Sequence, residues 1–399
     1  MGYDTLKKIY YADRNGYETE YLSRFNSKAA VHIDFNIKGN PAFFLPTEEL
    51  LALDYSISRL DRAVSRIKAS LPSAAASQYY LKSLIDEVHL TLDIERVAST
   101  RKEIADIHRG KKDARLSGMI NKYATLMSGA RIPLETCEDV RALYDEICLP
   151  EVISENEANR PDGRIFRQDQ NYVVGKSEIS LHEGLYPEHK IIAAMDKALN
   201  FLNHCEISTP LRVAAFHYML GYIHPFYDGN GRMARFISSY ALSREMDPLI
   251  GVRLSYTIKD NISTYYKLFK ETNDAKNKGD LTFFIIGFLN IVEISYKNLY
   301  EALCEKADQL TRYTDTLYGL NLNNKLEEVA YLLLQVTLFS PNGIRLEEIL
   351  SNTRVGEKSV RYFLTDDKTR HMFIRKKDGR ANVYSLNLDW LTEQSGNKQ

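Results

Sequence analysis

The stretch on which the reading turns is His224-Pro225-Phe226-Tyr227-Asp228-Gly229-Asn230-Gly231-Arg232-Met233-Ala234-Arg235. It follows an apolar run with helical spacing, Leu211 to Ile223, and opens another, Arg232 to Arg244. The spacing therefore predicts a loop that runs into a helix N-terminus. Pro225 has no N–H to donate and helps end the first helix. Gly229 and Gly231 carry no side chain, so backbone N–H groups can approach a ligand closely. With the positive end of the helix dipole, those donors make an anion site. Asn230 adds an amide donor, and Arg232 and Arg235 add planar forks suited to phosphate. Asp228 is a hard oxygen ligand of the kind Mg²⁺ takes when it also holds substrate phosphates. His224 supplies a base that titrates near neutral pH. These are the parts of a site for nucleotide phosphate chemistry.

At every specified position the stretch resembles the Fic family signature, H-x-F-x-[DE]-G-N-G-R-x-x-R. The resemblance implies a mainly α fold: a Fic-type helical bundle with a β-hairpin flap, short N-terminal strands and a C-terminal winged helix-turn-helix domain. It also implies an enzyme, a protein adenylyltransferase that uses ATP and Mg²⁺. Such an enzyme moves AMP to a Ser, Thr or Tyr hydroxyl of a target protein and releases pyrophosphate. By the same resemblance His224 is the general base and Asp228 the metal ligand between the α- and β-phosphates. Gly229 and Gly231 form the anion-binding turn. Asn230 meets the α-phosphate, Arg232 the β-phosphate and Arg235 the γ-phosphate, while Phe226 anchors the loop. A bare Asp-Gly-Asn-Gly turn needs no arginines on the helix that follows it. A Walker A reading of Gly175-Lys176-Ser177 fails, because its first glycine would have to stand at Gln170.

Composition sets the frame around this loop. The chain has 399 residues, which suggests two to three domains. Fifty-two Lys and Arg stand against 53 Asp and Glu, a net charge of −1, and 44% of residues are hydrophobic. Those values exclude a disordered chain and a histone-like polycation, and they name no nucleic-acid or lipid partner by charge alone. Met1 to Tyr10 does not read as a secretory signal, and Leu6 breaks the myristoylation pattern. No apolar stretch of about eighteen residues suggests a membrane span. Cys137, Cys148, Cys205 and Cys304 are widely spaced and read as reduced thiols, so a cytoplasmic location is expected.

Working outward, helical periodicity covers Thr47 to Leu71, Ser77 to Val97, Glu135 to Cys148, Pro187 to Asn203, Tyr256 to Glu271 and Leu281 to Leu310. Alternation over Ala29 to Phe44 predicts short strands, and Pro150 to Gly163 reads as an exposed connection. His217, two turns before His224, reads as a packing residue. The domains expected are 1–112, with an inhibitory helix at about 77–97, a catalytic core at 113–318 and a winged helix at 319–399. Thr91 and Glu95 fit the [ST]-x-x-x-E-[GN] motif of the inhibitory helix found in many Fic proteins, and their spacing puts both on one helix face. The resemblance implies that Glu95 pairs with Arg235 and displaces the γ-phosphate. Arg96 departs from the motif, and two consequences are open: the helix continues through it, or it gives Glu95 a nearer cation. Gly163 to His182 occupies the place of the flap, centred on 173–181, which would hold a target backbone by strand addition.

Beyond Tyr318-Gly319-Leu320-Asn321, three helices at Lys325 to Phe339, Arg345 to Leu350 and Glu357 to Asp366 precede two runs joined by Lys377-Asp378-Gly379-Arg380. An Asp-Gly between such runs predicts a hairpin, and the whole order is that of a winged helix. Residues 354–380 hold nine Lys or Arg against four Asp or Glu, with Arg361, Arg375, Lys376, Lys377 and Arg380 placed to meet DNA phosphates. Three further partners are expectations: duplex DNA at 354–380, a second copy in a homodimer, and the chain itself as acceptor on one of its 26 tyrosines. Two rival functions stand beside the transferase. One is a hydrolase that uses Glu95 to remove AMP from a modified target, and the other a nucleotide-responsive DNA-binding regulator.

Overall fold

The structure is a computed structural model that describes residues 2–113, 115–174, 180–379 and 381–396, with backbone alone at 172–174, 180–183 and 395–396. It is mainly helical with small sheets. Two short helices, α1 (Leu6–Ala12) and α2 (Tyr17–Phe25), precede the antiparallel hairpin β1 (Val31–Ile37) and β2 (Asn40–Phe44). Six helices follow: α3 (Glu48–Ser70), α4 (Ser73–Ile94), α5 (Arg101–His108), α6 (Ser117–Met127), α7 (Cys137–Ile147) and α8 (Leu149–Glu155). A second antiparallel pair, β3 (Tyr172–Val174) and β4 (Ser180–Glu183), leads to α9 (Glu188–His204), α10 (Thr209–Ile223) and α11 (Asn230–Glu245). Residues 175–179, the middle of the expected flap at 173–181, lie outside the described residues. Then come α12 (Leu254–Asp260), α13 (Ile262–Thr272) and the long α14 (Thr282–Tyr318).

The chain divides into two compact units: one runs to Arg62 and resumes over Leu84–Lys297, and the other joins Ala63–Ser83 to the chain from Asn298 onward. In the first unit α10 is buried along nearly its whole length, from Pro210 to Ile223. Its apolar residues accordingly run all round the helix instead of along one stripe. Helix α11 is buried from Asn230 through Leu242 with few exceptions. Each large apolar side chain so buried contributes about 1.5–3 kcal/mol. The loop between α10 and α11 is thus fixed at both ends by core helices.

The second unit contains α15 (Asn324–Phe339), β5 (Ile344–Arg345), α16 (Leu346–Ser351), α17 (Glu357–Thr365), β6 (Phe373–Asp378), β7 (Ala381–Leu386) and α18 (Leu388–Gly396). Its sheet has the order β5-β7-β6, with β7 central and β6 at an edge. Gly379, in the β6–β7 turn, takes φ +61°, the left-handed conformation an Asp-Gly turn supplies without strain.

Three local expectations change. Pro150 to Gly163 is not simply an exposed connection, because α8, which starts at Leu149, runs through its first residues and buries Glu151 and Val152. Pro150 stands in the first turn of that helix, where its missing N–H has no intrahelical partner to lose. The periodic run Tyr256 to Glu271 is broken at Asn261 into α12 and α13. Helix α4 does not continue through Arg96, which takes φ +63° after the helix has ended. All four cysteines are free thiols, and among the described residues no helix is long and apolar enough to cross a membrane.

Candidate functional site

The last residue of the α10 turn, His224, adopts the left-handed conformation (φ 53°, ψ 62°) while its N–H still bonds Leu220 O at 3.0 Å. For a non-glycine residue this costs roughly 1–2 kcal/mol, so the surroundings must impose it. Phe226 is fully buried, its ring stacked on Tyr144 at 3.7 Å between centroids and edge-on to Phe166 at 5.5 Å. Gly229 has φ +85°, and a Cβ there would come within 3.1 Å of both Tyr144 and Cys148. Only glycine meets both demands. The buried Asn230 accepts from Phe226 N at 3.0 Å and donates to Phe226 O at 2.8 Å, bracing the loop against itself and leaving one amide hydrogen for a ligand.

Helix α11 starts at Asn230, and its first turn leaves backbone N–H groups without intrahelical acceptors. Beside that turn, Arg232 is fully buried and reaches two carboxylates, Glu151 through Nη1 and Asp228 Oδ1 through Nη2 at 3.3 Å. Burial works against its charge, but Cys148, Asp228 and Glu151 outweigh it and hold the guanidinium well above its ordinary value. Its buried Nε–H has no acceptor among the described residues. Asp228 spends Oδ1 on Gly229 N and Arg232, while its side chain stays 37% exposed.

Arg235 faces the other way, toward α4. Its Nε donates to Thr91 Oγ1 at 2.8 Å, and its Nη2 donates to Thr91 O at 3.0 Å and to Glu95 Oε1 at 2.7 Å. Burial opposes the charge on Arg235, and Glu95 more than compensates, so its acidity falls. The same carboxylate lies on the anion turn, because a Cβ built on Gly231 would sit 2.1 Å from Glu95 Oε1. Thr91 and Glu95 therefore meet Arg235 from one helix face. Arg96 closes α4: its N–H bonds Asp93 O, Val97 N bonds Leu92 O at 3.0 Å, and φ is +63°. That six-to-one bond over a left-handed residue is the Schellman stop, for which Gly or Asn is the usual choice. Arg96 forms no ion pair with Glu95 among the described residues. One turn behind Thr91, the buried Glu87 accepts Ser255 N with both oxygens at 3.1 and 2.9 Å. Burial pushes its carboxyl up to about 7 despite those bonds.

Sequence reasoning missed the strap that holds the loop from outside. Asn171 Nδ2 donates to Phe226 O and Tyr227 O at 3.1 and 2.7 Å, and Tyr227 OH donates to Asp162 Oδ1 at 3.0 Å. Glu188, in the first turn of α9, accepts the N–H groups of Arg164, Ile165 and Phe166. Those bonds lower its carboxyl below the usual range against the burial that would raise it. Arg167 is fully buried beneath His224. Glu151, Arg167 and Asn171 carry no periodic or motif signal, because a polar side chain turned inward reads in sequence like an exposed one. His217 does pack: it is wholly buried between Ser238 Oγ and Tyr265 OH, each at 2.8 Å, and burial followed by the charge of Arg235 lowers it to about 3.

The structure thus gathers His224, Phe226, Asp228, Gly229, Asn230, Gly231, Arg232 and Arg235 on one loop and helix start, with Thr91 and Glu95 laid across it. Residues 135–242 match the Fic/DOC family. Over 127 residues the chain is 34% identical to the protein adenylyltransferase Fic of Drosophila erecta, across 31% of this chain and 22% of that protein. The match therefore spans about a fifth of that relative's length. In fold, the chain is similar to a Fic family protein from Desulfovibrio desulfuricans G20, with TM-score 0.52 and 15% identity over 86% of this chain and 96% of that one. A Fic domain containing signaling protein from Bacteroides thetaiotaomicron VPI-5482 aligns with TM-score 0.47 and 16% identity, over 62% of this chain and 95% of that one.

Proposed function

We propose, from the match of residues 135–242 to the Fic/DOC family, that the protein transfers AMP from ATP to a Ser, Thr or Tyr hydroxyl of a target protein, restrained by its own Glu95. One observation carries this reading: the Glu95 carboxylate rests on Gly231 and pairs with the buried Arg235 at 2.7 Å. An anion held by a helix N-terminus and a guanidinium marks where a phosphate belongs. The orphaned Nε–H of Arg232 is a second, independent anion donor at the same turn.

In the reaction the target hydroxyl oxygen bonds to the α-phosphorus as the bond from that phosphorus to the pyrophosphate oxygen breaks. His224 takes the hydroxyl proton on a ring nitrogen. The pyrophosphate leaves with the bonding electron pair, and Arg232, Arg235 and the N-terminus of α11 stabilise its charge. Bound Mg²⁺ would supply further neutralisation of the phosphate charge. Asp228, with Oδ2 free of described partners and the side chain partly open to solvent, is the residue suited to hold it. A carboxylate and a γ-phosphate compete for the one guanidinium of Arg235, so Glu95 in place leaves ATP without that contact.

Glu95→Gly incubated with Mg²⁺ and labelled ATP should yield labelled protein where the parent yields little. The gain expected is up to about 10²-fold, for a pair worth up to about 3 kcal/mol. His224→Ala in the same background should abolish it, and equal labelling by that variant would overturn the mechanism.

A second reading concerns the other unit, where we propose a winged helix that binds duplex DNA. Arg375, Lys376 and Lys377 stand exposed on the edge strand β6, and none has an ion-pair partner among the described residues. Arg361 on α17 is likewise exposed but tied to Glu357 at 2.7 Å. Arg380 lies outside the described residues.

A further inference from the structure

The carbonyls at the C-terminal end of α10 point out of a helix that has ended, and something must accept the duty of bonding them. Leu185 N takes Ile223 O at 3.0 Å, and Arg167 N takes Pro225 O at 3.2 Å. Between them, His224 O is taken by Arg167 Nε at 2.9 Å. The same guanidinium sends Nη2 to Leu185 O at 2.9 Å and Nη1 to Asp169 O. One plane of donors thus ties the backbone of His224 to the segment leaving the β3–β4 pair and to the segment entering it. Burial draws the pKa of Arg167 down, so the charge is held at a cost, with Tyr227 and Asp162 offsetting part of it.

The slot for this guanidinium is made by Gly184. A Cβ there would stand 2.3 Å from Arg167 Nη2, 2.9 Å from His224 Cβ and 3.3 Å from Ile223 O. Gly184 is not among the glycines of positive φ, so the requirement is for space and not for backbone freedom. The absence of a side chain at 184 therefore serves the pairing of Arg167 with His224.

We propose that Arg167, seated against Gly184, is the positioning residue for His224: it fixes the left-handed backbone at 224 and with it the direction of the imidazole. Lysine cannot replace it, since a single ammonium on a flexible stem lacks the planar fork that meets three carbonyls at once. The phosphate groups are held by other residues, on α11, so the two functions separate. This inference rests on His224 acting as the base of the transfer reaction.

The test uses the full chain carrying Glu95→Gly, with Arg167→Lys and, separately, Gly184→Ala. ATP affinity in the presence of Mg²⁺ is measured by calorimetry, and kcat for AMP transfer by labelled ATP. Arg167→Lys should lower kcat by about 100-fold, the usual penalty for a misplaced catalytic group, with the ATP Kd within about twofold of the parent. Gly184→Ala should move kcat in the same direction by a smaller factor, again at constant Kd. Hydrogen exchange at Leu185 should quicken in the Arg167 variant, which is readable even if no transfer occurs. An inactive Glu95→Gly parent would overturn the transferase reading, whereas normal kcat or slow Leu185 exchange in the Arg167 variant overturns the positioning role. A parallel loss of kcat and ATP affinity in Gly184→Ala would also overturn it, as the mark of general disruption.

Discussion

Two cationic regions of this molecule are built on opposite principles. Arg232 and Arg235 are buried, and each meets a carboxylate from a different element, Glu151 in α8 and Glu95 just past the end of α4. Arg375, Lys376 and Lys377 are exposed along an edge strand and meet none among the described residues. A buried charge is tolerable only with partners fixed in place, so its ligand must match a preset geometry. An exposed charge is screened within about 8–10 Å at ordinary ionic strength and acts by number more than by direction. The first arrangement suits one small anion, and the second suits a long polyanion. The edge lysines have a structural use as well, since charges along an open strand discourage pairing with another chain.

The comparison breaks most visibly on stability. Arg232→Ala strips the buried Glu151 of its partner and should lower unfolding free energy by about 3–5 kcal/mol. Changing Arg375, Lys376 and Lys377 singly to Ala should cost no more than about 0.5 kcal/mol each. Urea unfolding curves of the four variants measure this, and an equal loss on the two sides would end the distinction. The wing triple variant should instead show its effect on DNA. If those side chains meet phosphates, the slope of log K against log salt for duplex binding should shrink by roughly 2 to 3. An unchanged slope, or no duplex binding by the parent at low salt, removes the wing from DNA recognition.

The same contrast explains what could be read from the sequence. The loop His224 to Arg235 is contiguous, so its glycines, arginines and acid declare themselves together. Thr91 and Glu95 are legible because four-residue spacing is a helix face, although Arg235 lies 140 residues from Glu95. Glu151 was hidden because Pro150 and the acids and asparagines after it resemble a solvated connection, and charge usually means exposure. Arg167 and Asn171 were hidden for a related reason: each bonds backbone carbonyls, which every sequence has and none displays. The helices α1 and α2, only 7 and 9 residues long, were too short for periodicity to mark. In the second unit the order of helices and hairpin was readable from turn chemistry, whereas the two-residue β5 follows only from its pairing with β7.

Buried charge also answers to pH, and Glu87 gives the clearest case. Burial raises its folded value to about 7 from 4.5, with the Ser255 bonds pulling the other way. A carboxyl raised on folding stabilises the protein fully below about pH 4.5, and that contribution is lost as pH climbs toward 7. The melting temperature of the parent, taken relative to Glu87→Gln, should therefore fall between about pH 4.5 and 7 and level off above. A flat difference across that range would mean the carboxyl is charged throughout, despite its burial.

Arg96 belongs to neither class, and it sharpens the contrast by acting through backbone alone. Its side chain is exposed, yet its φ of +63° places a Cβ where the chain that ends α4 would prefer none. Arg96→Gly removes that steric cost, about 1 kcal/mol, against a smaller entropic loss. The end of α4 then holds Glu95 more firmly on Arg235. Basal AMP transfer should fall by about 2- to 5-fold, as expected for a stabilisation approaching 1 kcal/mol. Arg96→Val, which adds a β-branch at a left-handed position, should raise it. Arg96→Lys keeps the charge and the strain, and should leave the rate where it was. If Lys and Gly instead behave alike, the guanidinium itself is what matters, and Arg96 joins Arg232 and Arg235 as a cation of the site.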